Sequence, residues 1–142
     1  MPNISEEQNI KPNSNPLKIL LVDDDRFLLD MYAIKFSKSG YEVKTADSTD
    51  AGLQLIRSGY APDIMLVDVV MPGMDGLEMI DTVKKEKIAP SARVIMLTNQ
   101  GSSDDIARAR KLDVDGYIVK ATTVPSDVLK SVEAILVSKK AK

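Results

Sequence analysis

The chain has 142 residues, 44% hydrophobic and 28% charged, with a formal net charge of -2; this fits one globular domain and excludes broad electrostatic attraction to nucleic acid or anionic membranes. It contains neither cysteine nor histidine, which excludes disulfides, thiolate zinc sites and any use of imidazole as base, metal ligand or phosphate carrier within the chain. No apolar run approaches the ~20 residues of a membrane span, and the polar N-terminus lacks the basic-then-apolar pattern of a signal peptide, so the expected location is the cytoplasm.

Residues 1–16 (MPNISEEQNIKPNSNP) are rich in Asn, Pro, Ser and Glu with two isolated isoleucines, the composition of a flexible tail. Leu17 to Val22 reads as a short buried strand that stops at Asp23, Asp24 and Asp25. From Arg26 the apolar positions Phe27, Leu28, Met31, Ile34 and Phe36 take helical spacing, and Gly40 marks the helix end. Tyr41 to Ala46 alternates apolar and charged residues, which suits a half-exposed edge strand. Asp47 or Ser48 can cap a second helix bearing Ala51, Leu53, Leu55 and Ile56, ending near Gly59. Ile64 to Val67 is an apolar run bounded by turn signals, the pattern of a strand buried on both faces, and it stops at Asp68.

Asp75 or Gly76 opens a third helix with Leu77, Ile80 and Val83 on one side, ending before Pro90. Arg93 to Leu97 is another apolar strand and leads into Thr98, Asn99 and Gln100. Ser102 or Ser103 caps a fourth helix with Ile106, Ala107, Ala109 and Leu112 inward. Gly116 to Val119 is a short last strand stopping at Lys120, and Pro125 suits the first turn of a final helix with Val128, Leu129, Val132, Ile135 and Leu136. One domain over residues 17–138 is expected, with a short basic, solvated tail at 139–142.

The pattern is βα five times, with connections that permit only crossover units. That implies an α/β fold: a doubly wound, five-stranded parallel sheet with helices on both faces. In such sheets the working crevice lies outside the carboxyl ends of the strands. Four strands end in a chemically useful side chain: Asp23 and Asp24, Asp68, Thr98 and Lys120. The alternating second strand ends in Ala46 and contributes none. A flavodoxin-like order of 2-1-3-4-5 sets the contributing strands side by side and leaves the second strand at an edge. Three carboxylates at one rim repel each other, and a hard divalent cation with oxygen ligands is the natural compensator. A carboxylate nucleophile, a metal, the Lys120 ammonium and the Thr98 hydroxyl form a set suited to accepting a phosphoryl group.

The set LLVDDD, LVDVVMPGMDG, MLTNQ and DGYIVK resembles the receiver domain of two-component response regulators, over about Leu17 to Val137. The resemblance implies the same strand order and Asp68 as phosphoacceptor. It implies Mg²⁺ held by Asp24 and Asp68, by Asp23 through water, and by the backbone carbonyl of Val70. Thr98 and Lys120 would contact the phosphoryl oxygens, and Tyr117 matches an aromatic that changes orientation on activation. Three residues depart from the family pattern: Ala121 stands where proline usually follows the lysine, Asp113 where a glycine usually ends the helix before Tyr117, and apolar Val70 two residues past the acceptor. Val70 cannot orient an attacking water, whereas Gln100 could, so spontaneous dephosphorylation is expected at a slow-to-intermediate rate.

The expected function is a phosphorylation-controlled signalling module that catalyses only its own phosphorylation and dephosphorylation, and is otherwise not an enzyme. Its donor is expected in trans, a sensor histidine kinase or phosphotransfer protein, and its output is expected through protein contact, as a stand-alone receiver with a phosphorylation-dependent homodimer as one option. Neither nucleic acid nor membrane is an expected partner. The competing readings are a phosphorylation-independent pseudo-receiver that only binds, hinted at by Ala121; a phosphohydrolase with an aspartyl-phosphate intermediate, disfavoured because valine follows Asp68 by two; and a flavin protein, disfavoured because the first strand leads into Asp23–Asp25 rather than a phosphate loop. The methionines Met65, Met71, Met74, Met79 and Met96 read as core or turn filler.

Overall fold

A computed structural model describes residues 16–99, 101–120 and 124–140. The elements are β1 (Lys18–Val22), α1 (Arg26–Lys38), β2 (Glu42–Ala46), α2 (Thr49–Arg57), β3 (Ile64–Asp68), α3 (Gly76–Glu86), β4 (Arg93–Thr98), α4 (Ser103–Lys111), β5 (Gly116–Val119) and α5 (Pro125–Lys140). The five strands pair in parallel in the order β2-β1-β3-β4-β5, as the edge character of β2 requires.

Because successive residues of a strand face opposite ways, the central strands feed two cores. Leu20, Val22, Met65, Val67, Val94 and Met96 face α2, α3 and α4, meeting Leu53, Ile56, Leu77, Ile80, Val83 and Ala109. Ile19, Leu21, Ile64, Leu66, Ile95 and Leu97 face α1 and α5, meeting Leu29, Tyr32, Phe36, Val128, Leu129 and Val132. Each fully buried side chain of this size stabilises the fold by about 1.5–3 kcal/mol before the entropy of ordering is subtracted. Four helices begin at side-chain caps, with Asp25, Ser48, Asp75 and Ser102 accepting from the backbone N–H three residues on. Of the alternative caps left open by the sequence, Ser48 and Ser102 are the ones used.

Three expectations need correction. The inward face of α1 is Leu29, Tyr32 and Phe36, whereas Phe27 and Ile34 are 73% and 57% exposed. Phe27, Met31 and Ile34 share helical spacing just as Leu29, Tyr32 and Phe36 do, so periodicity alone could not choose between the two faces. Ala107 is exposed rather than inward, and α4 buries only Ala109 fully while half-burying Ile106 and Leu112. The helix α5 continues through Lys140, two residues into the stretch expected as a tail. The expectations on residues 1–15, Gln100, Ala121 and the last two residues lie outside the described residues. Asp113 has φ +55°, the left-handed conformation in which a glycine is usual and Asp is tolerated.

Candidate functional site

At the carboxyl ends of β1, β3, β4 and β5 lies a cleft of about 270 Å³ lined by Asp23, Asp24, Asp25, Leu28, Asp68, Val70, Thr98, Asn99 and Lys120. The central position of β1 and β3 brings the first two acidic segments together. One oxygen each of Asp23, Asp24 and Asp68 falls within a mutual spacing of 4.8 Å. The cluster is graded in burial: Asp23 is buried, Asp68 half-buried and Asp24 exposed.

Asp23 is held by its neighbours. Its backbone N–H donates to the Ala46 carbonyl at 3.2 Å, and its Oδ1 accepts from the Asp25 N–H at 2.9 Å. Its Oδ2 is buried and has no hydrogen-bond partner among the described residues. Lys120 Nζ stands 4.0 Å from that oxygen, with both side chains almost wholly enclosed. Lys120 is itself placed by its backbone N–H, which donates to the Thr98 carbonyl at 2.7 Å. Thr98, at the end of β4, is fully buried.

The loop after Asp68 is fixed from several sides. Val69 N–H donates to Leu97 O at 3.2 Å, and Gly76 N–H reaches back to Val69 O at 2.9 Å. Thr49 Oγ1 donates to Met74 O at 2.9 Å, and Asp75 and Glu78 complete a reciprocal capping box. Gly76 is required here because a Cβ would lie 2.0 Å from the Asp68 carbonyl oxygen. Val70 N–H approaches Asp68 Oδ1 at 3.4 Å, a long contact, and the Val70 side chain is 59% exposed beside the cleft.

The electrostatics follow from crowding. Burial raises the Asp68 carboxyl to about 7, with the Asp23 charge adding to the rise and the Lys120 ammonium opposing it. Burial also raises Asp23, against the Asp25 N–H and Lys120, which favour its ionised form. Three carboxylates with one enclosed ammonium, and an orphaned carboxylate oxygen facing the cluster, fit a hard divalent cation. Tyr117 stands outside this cleft. It lies opposite Met96 in the β4–β5 register, packs against the core under α2, α3 and α4, and has a buried hydroxyl without a hydrogen-bond partner among the described residues.

The family model for the response regulator receiver domain matches residues 19–133. The chain belongs to the response regulator receiver domain family. It is similar to the phosphate regulon transcriptional regulatory protein PhoB of Pseudomonas aeruginosa, with 30% identity covering 83% of this chain and 51% of that protein. It is 32% identical to the nitrate/nitrite response regulator protein NarL of Escherichia coli K12, covering 84% of this chain and 54% of that protein. The chain thus spans about half the length of these curated relatives. The Vibrio cholerae chemotaxis protein CheY4 superposes with a TM-score of 0.76 at 27% identity, covering 84% of this chain and 98% of that one. A CheY-like receiver domain protein from Methanospirillum hungatei JF-1 superposes with a TM-score of 0.76 at 29% identity, covering 89% of this chain and 99% of that one. Receiver domains are signalling modules rather than enzymes with an external substrate, they generally bind Mg²⁺ at an acidic cluster, and this chain has such a cluster. Response regulators of this family interact with histidine kinases or phosphotransfer proteins. No described helix is long and apolar enough to cross a membrane.

The residues singled out in the sequence for phosphoryl chemistry, Asp23, Asp24, Asp68, Thr98 and Lys120, all line this one cleft together with Val70. Sequence reasoning overlooked Asp25, Leu28 and Asn99 as lining residues. Asn99 was signalled by its place after Thr98, whereas Leu28 carried no signal that separated it from the core face of α1.

Proposed function

We propose that this receiver domain accepts a phosphoryl group on Asp68 and signals by altered protein contact. The observation that carries the proposal is the meeting of Asp23, Asp24, Asp68, Thr98 and Lys120 in one cleft. With no histidine in the chain, the donor is a phosphohistidine in trans, on a sensor histidine kinase or phosphotransfer protein in the cytoplasm. An Asp68 carboxylate oxygen forms the new bond to phosphorus while the donor's phosphorus–nitrogen bond breaks and its electron pair returns to the imidazole. Asp68 must be ionised to attack, which its raised proton affinity resists until positive charge is brought close. Asp23, Asp24, Asp68 and the Val70 carbonyl would hold Mg²⁺, which supplies that charge and neutralises phosphoryl oxygens. Lys120 and Thr98 donate to the transferred oxygens. Val70 presents no group that could orient water for hydrolysis, whereas Gln100 carries one, so the phosphorylated state decays at a slow-to-intermediate rate.

Phosphorylation draws Thr98 toward the phosphoryl group and biases Tyr117, whose ring sits on the neighbouring strand. The face formed by α4, β5 and α5 then changes, and a protein partner or a second copy of the chain reads it. Incubation with acetyl phosphate and Mg²⁺, followed by intact-mass measurement, tests this. One phosphoryl adduct is expected on the unaltered chain, and none on Asp68→Asn or in excess chelator. An unlabelled wild-type chain, or an adduct that survives Asp68→Asn, overturns the assignment.

A further inference from the structure

The helix α4 fully buries a single residue, Ala109, where α1, α2 and α3 each bury three or more. Little apolar contact therefore fixes its position, and a polar tether adds to it. The Arg108 guanidinium forks between two carboxylates. Its Nη2 donates to Asp75 Oδ1 at 3.1 Å and stands 3.1 Å from Asp75 Oδ2, and its Nη1 donates to Asp105 Oδ1 at 3.2 Å. Asp105 lies in α4 itself, three residues back, so that contact only braces the arginine. Asp75 belongs to another element: it is the N-cap of α3, and its Oδ1 also accepts from the Glu78 N–H at 2.8 Å. The loop that carries Asp75 is held firmly against the acceptor strand. Gly76 N–H donates to Val69 O at 2.9 Å, Thr49 Oγ1 donates to Met74 O at 2.9 Å, and Gly76 approaches the Asp68 carbonyl too closely to admit a Cβ. A lightly buried helix is thus tied by one side chain to a rigid anchor beside Asp68. The carboxylates are about three-quarters enclosed, with Asp75 26% and Asp105 23% exposed, while Arg108 is 41% exposed.

We propose that Arg108 is a latch: its ion pair with Asp75 holds α4 in the arrangement of this structure and opposes the change in the α4, β5 and α5 face that follows phosphorylation of Asp68. The inference rests on the receiver reading of the cleft. Thr98 ends β4, and α4 begins five residues later at Ser103, so a pull on Thr98 reaches α4 through a short connection. A shift of α4 relative to α3 comes at the expense of the Arg108–Asp75 pair. Whatever the pair contributes to the unshifted arrangement is subtracted from what the phosphoryl group can achieve. Without the latch, the shifted arrangement is more populated before any phosphoryl group arrives.

The test uses the full chain, with beryllofluoride and saturating Mg²⁺ as a stable mimic of an aspartyl phosphate. Wild type, Arg108→Gln, Asp75→Asn and Asp105→Asn are compared by hydrogen exchange of the α4 amides and by beryllofluoride titration; asparagine still serves as a helix cap at position 75. Because solvent screens a partly exposed pair, Arg108→Gln and Asp75→Asn should each speed α4 exchange and tighten the apparent beryllofluoride affinity by about two- to fivefold. The double variant should go no further than either single one, since both remove the same interaction. Arg108→Lys, which keeps the charge without the fork, should fall between, and Asp105→Asn should stay near the wild type. Wild-type exchange in Arg108→Gln, or faster exchange with unchanged or weaker beryllofluoride affinity, overturns the latch and leaves the receiver reading intact. A wild-type chain that takes up no beryllofluoride overturns the receiver reading itself, and the latch with it.

Discussion

Replacing Asp68 with Asn should stabilise the metal-free domain, and by an amount that depends on pH in a definite direction. Burial, with the neighbouring Asp23 charge, lifts the folded-state carboxyl from 3.8 to about 7. A carboxyl whose folded-state proton affinity is raised binds more protons folded than unfolded between those values, so unfolding free energy falls as pH rises through that window. Below about pH 4 the group contributes nothing to the difference. Above about 7 the full penalty is present, at most about 4 kcal/mol, and about 2–4 kcal/mol once solvent access to the cleft and the shared titration with Asp23 are allowed for. Asn has nearly the same shape and never ionises. In excess chelator, urea unfolding of Asp68→Asn and wild type should therefore coincide within about 1 kcal/mol at pH 4.5, and diverge in favour of the variant at pH 8. Saturating Mg²⁺ should close the pH 8 gap by stabilising only the wild type. A gap that is the same at both pH values, or a variant less stable at pH 8, would show that the Asp68 carboxyl is not crowded in the way the cleft implies.

Lys120→Ala should lower acetyl phosphate labelling by about a hundredfold or more, the usual cost of removing a donor aimed at developing charge, as read by intact-mass time courses. Gly76→Ala places a Cβ 2.0 Å from the Asp68 carbonyl oxygen; the loop must move, at about 1–3 kcal/mol in urea unfolding, and labelling should slow with it. Phe27→Ala, at a side chain 73% exposed, should change stability by about 0.5 kcal/mol or less, whereas Phe36→Ala, fully buried, should cost about 3–5 kcal/mol; comparable costs would refute the assigned face of α1. The phosphorylated chain, with Val70 two residues past the acceptor, should lose its phosphoryl group slowly in Mg²⁺, and a half-life of only seconds would refute that.

The strands and their order were legible because the buried strands are short apolar runs, each stopped by a polar residue, and only β2 alternates. Those stopping residues also exposed the cleft, since polar groups at several strand ends converge once the sheet is parallel. The face of α1 was not legible. Phe27, Met31 and Ile34 compete with Leu29, Tyr32 and Phe36 at equivalent spacing, and packing of the second set against β1, β3, β4 and α5 decides between them.

The cleft also explains why the site is built from groups that disfavour their own ionisation. Asp23 and Asp68 are both raised by burial; the Asp23 charge adds to the rise at Asp68, and the Asp24 and Asp25 charges add to the rise at Asp23. One enclosed ammonium, Lys120, cannot offset three carboxylates. The metal-free chain therefore holds Asp68 partly protonated near pH 7, where a nucleophile must be bare. Under the proposed function, a cation releases that proton and relieves the repulsion in one event, so cation binding and readiness of Asp68 are thermodynamically linked. The linkage predicts that Mg²⁺ affinity rises steeply from pH 5 to about 7, as Asp68 deprotonates, and then levels off. A calorimetric affinity profile that stays flat across that interval would mean that Asp68 is already ionised without the metal, and that burial of the cleft has been overstated.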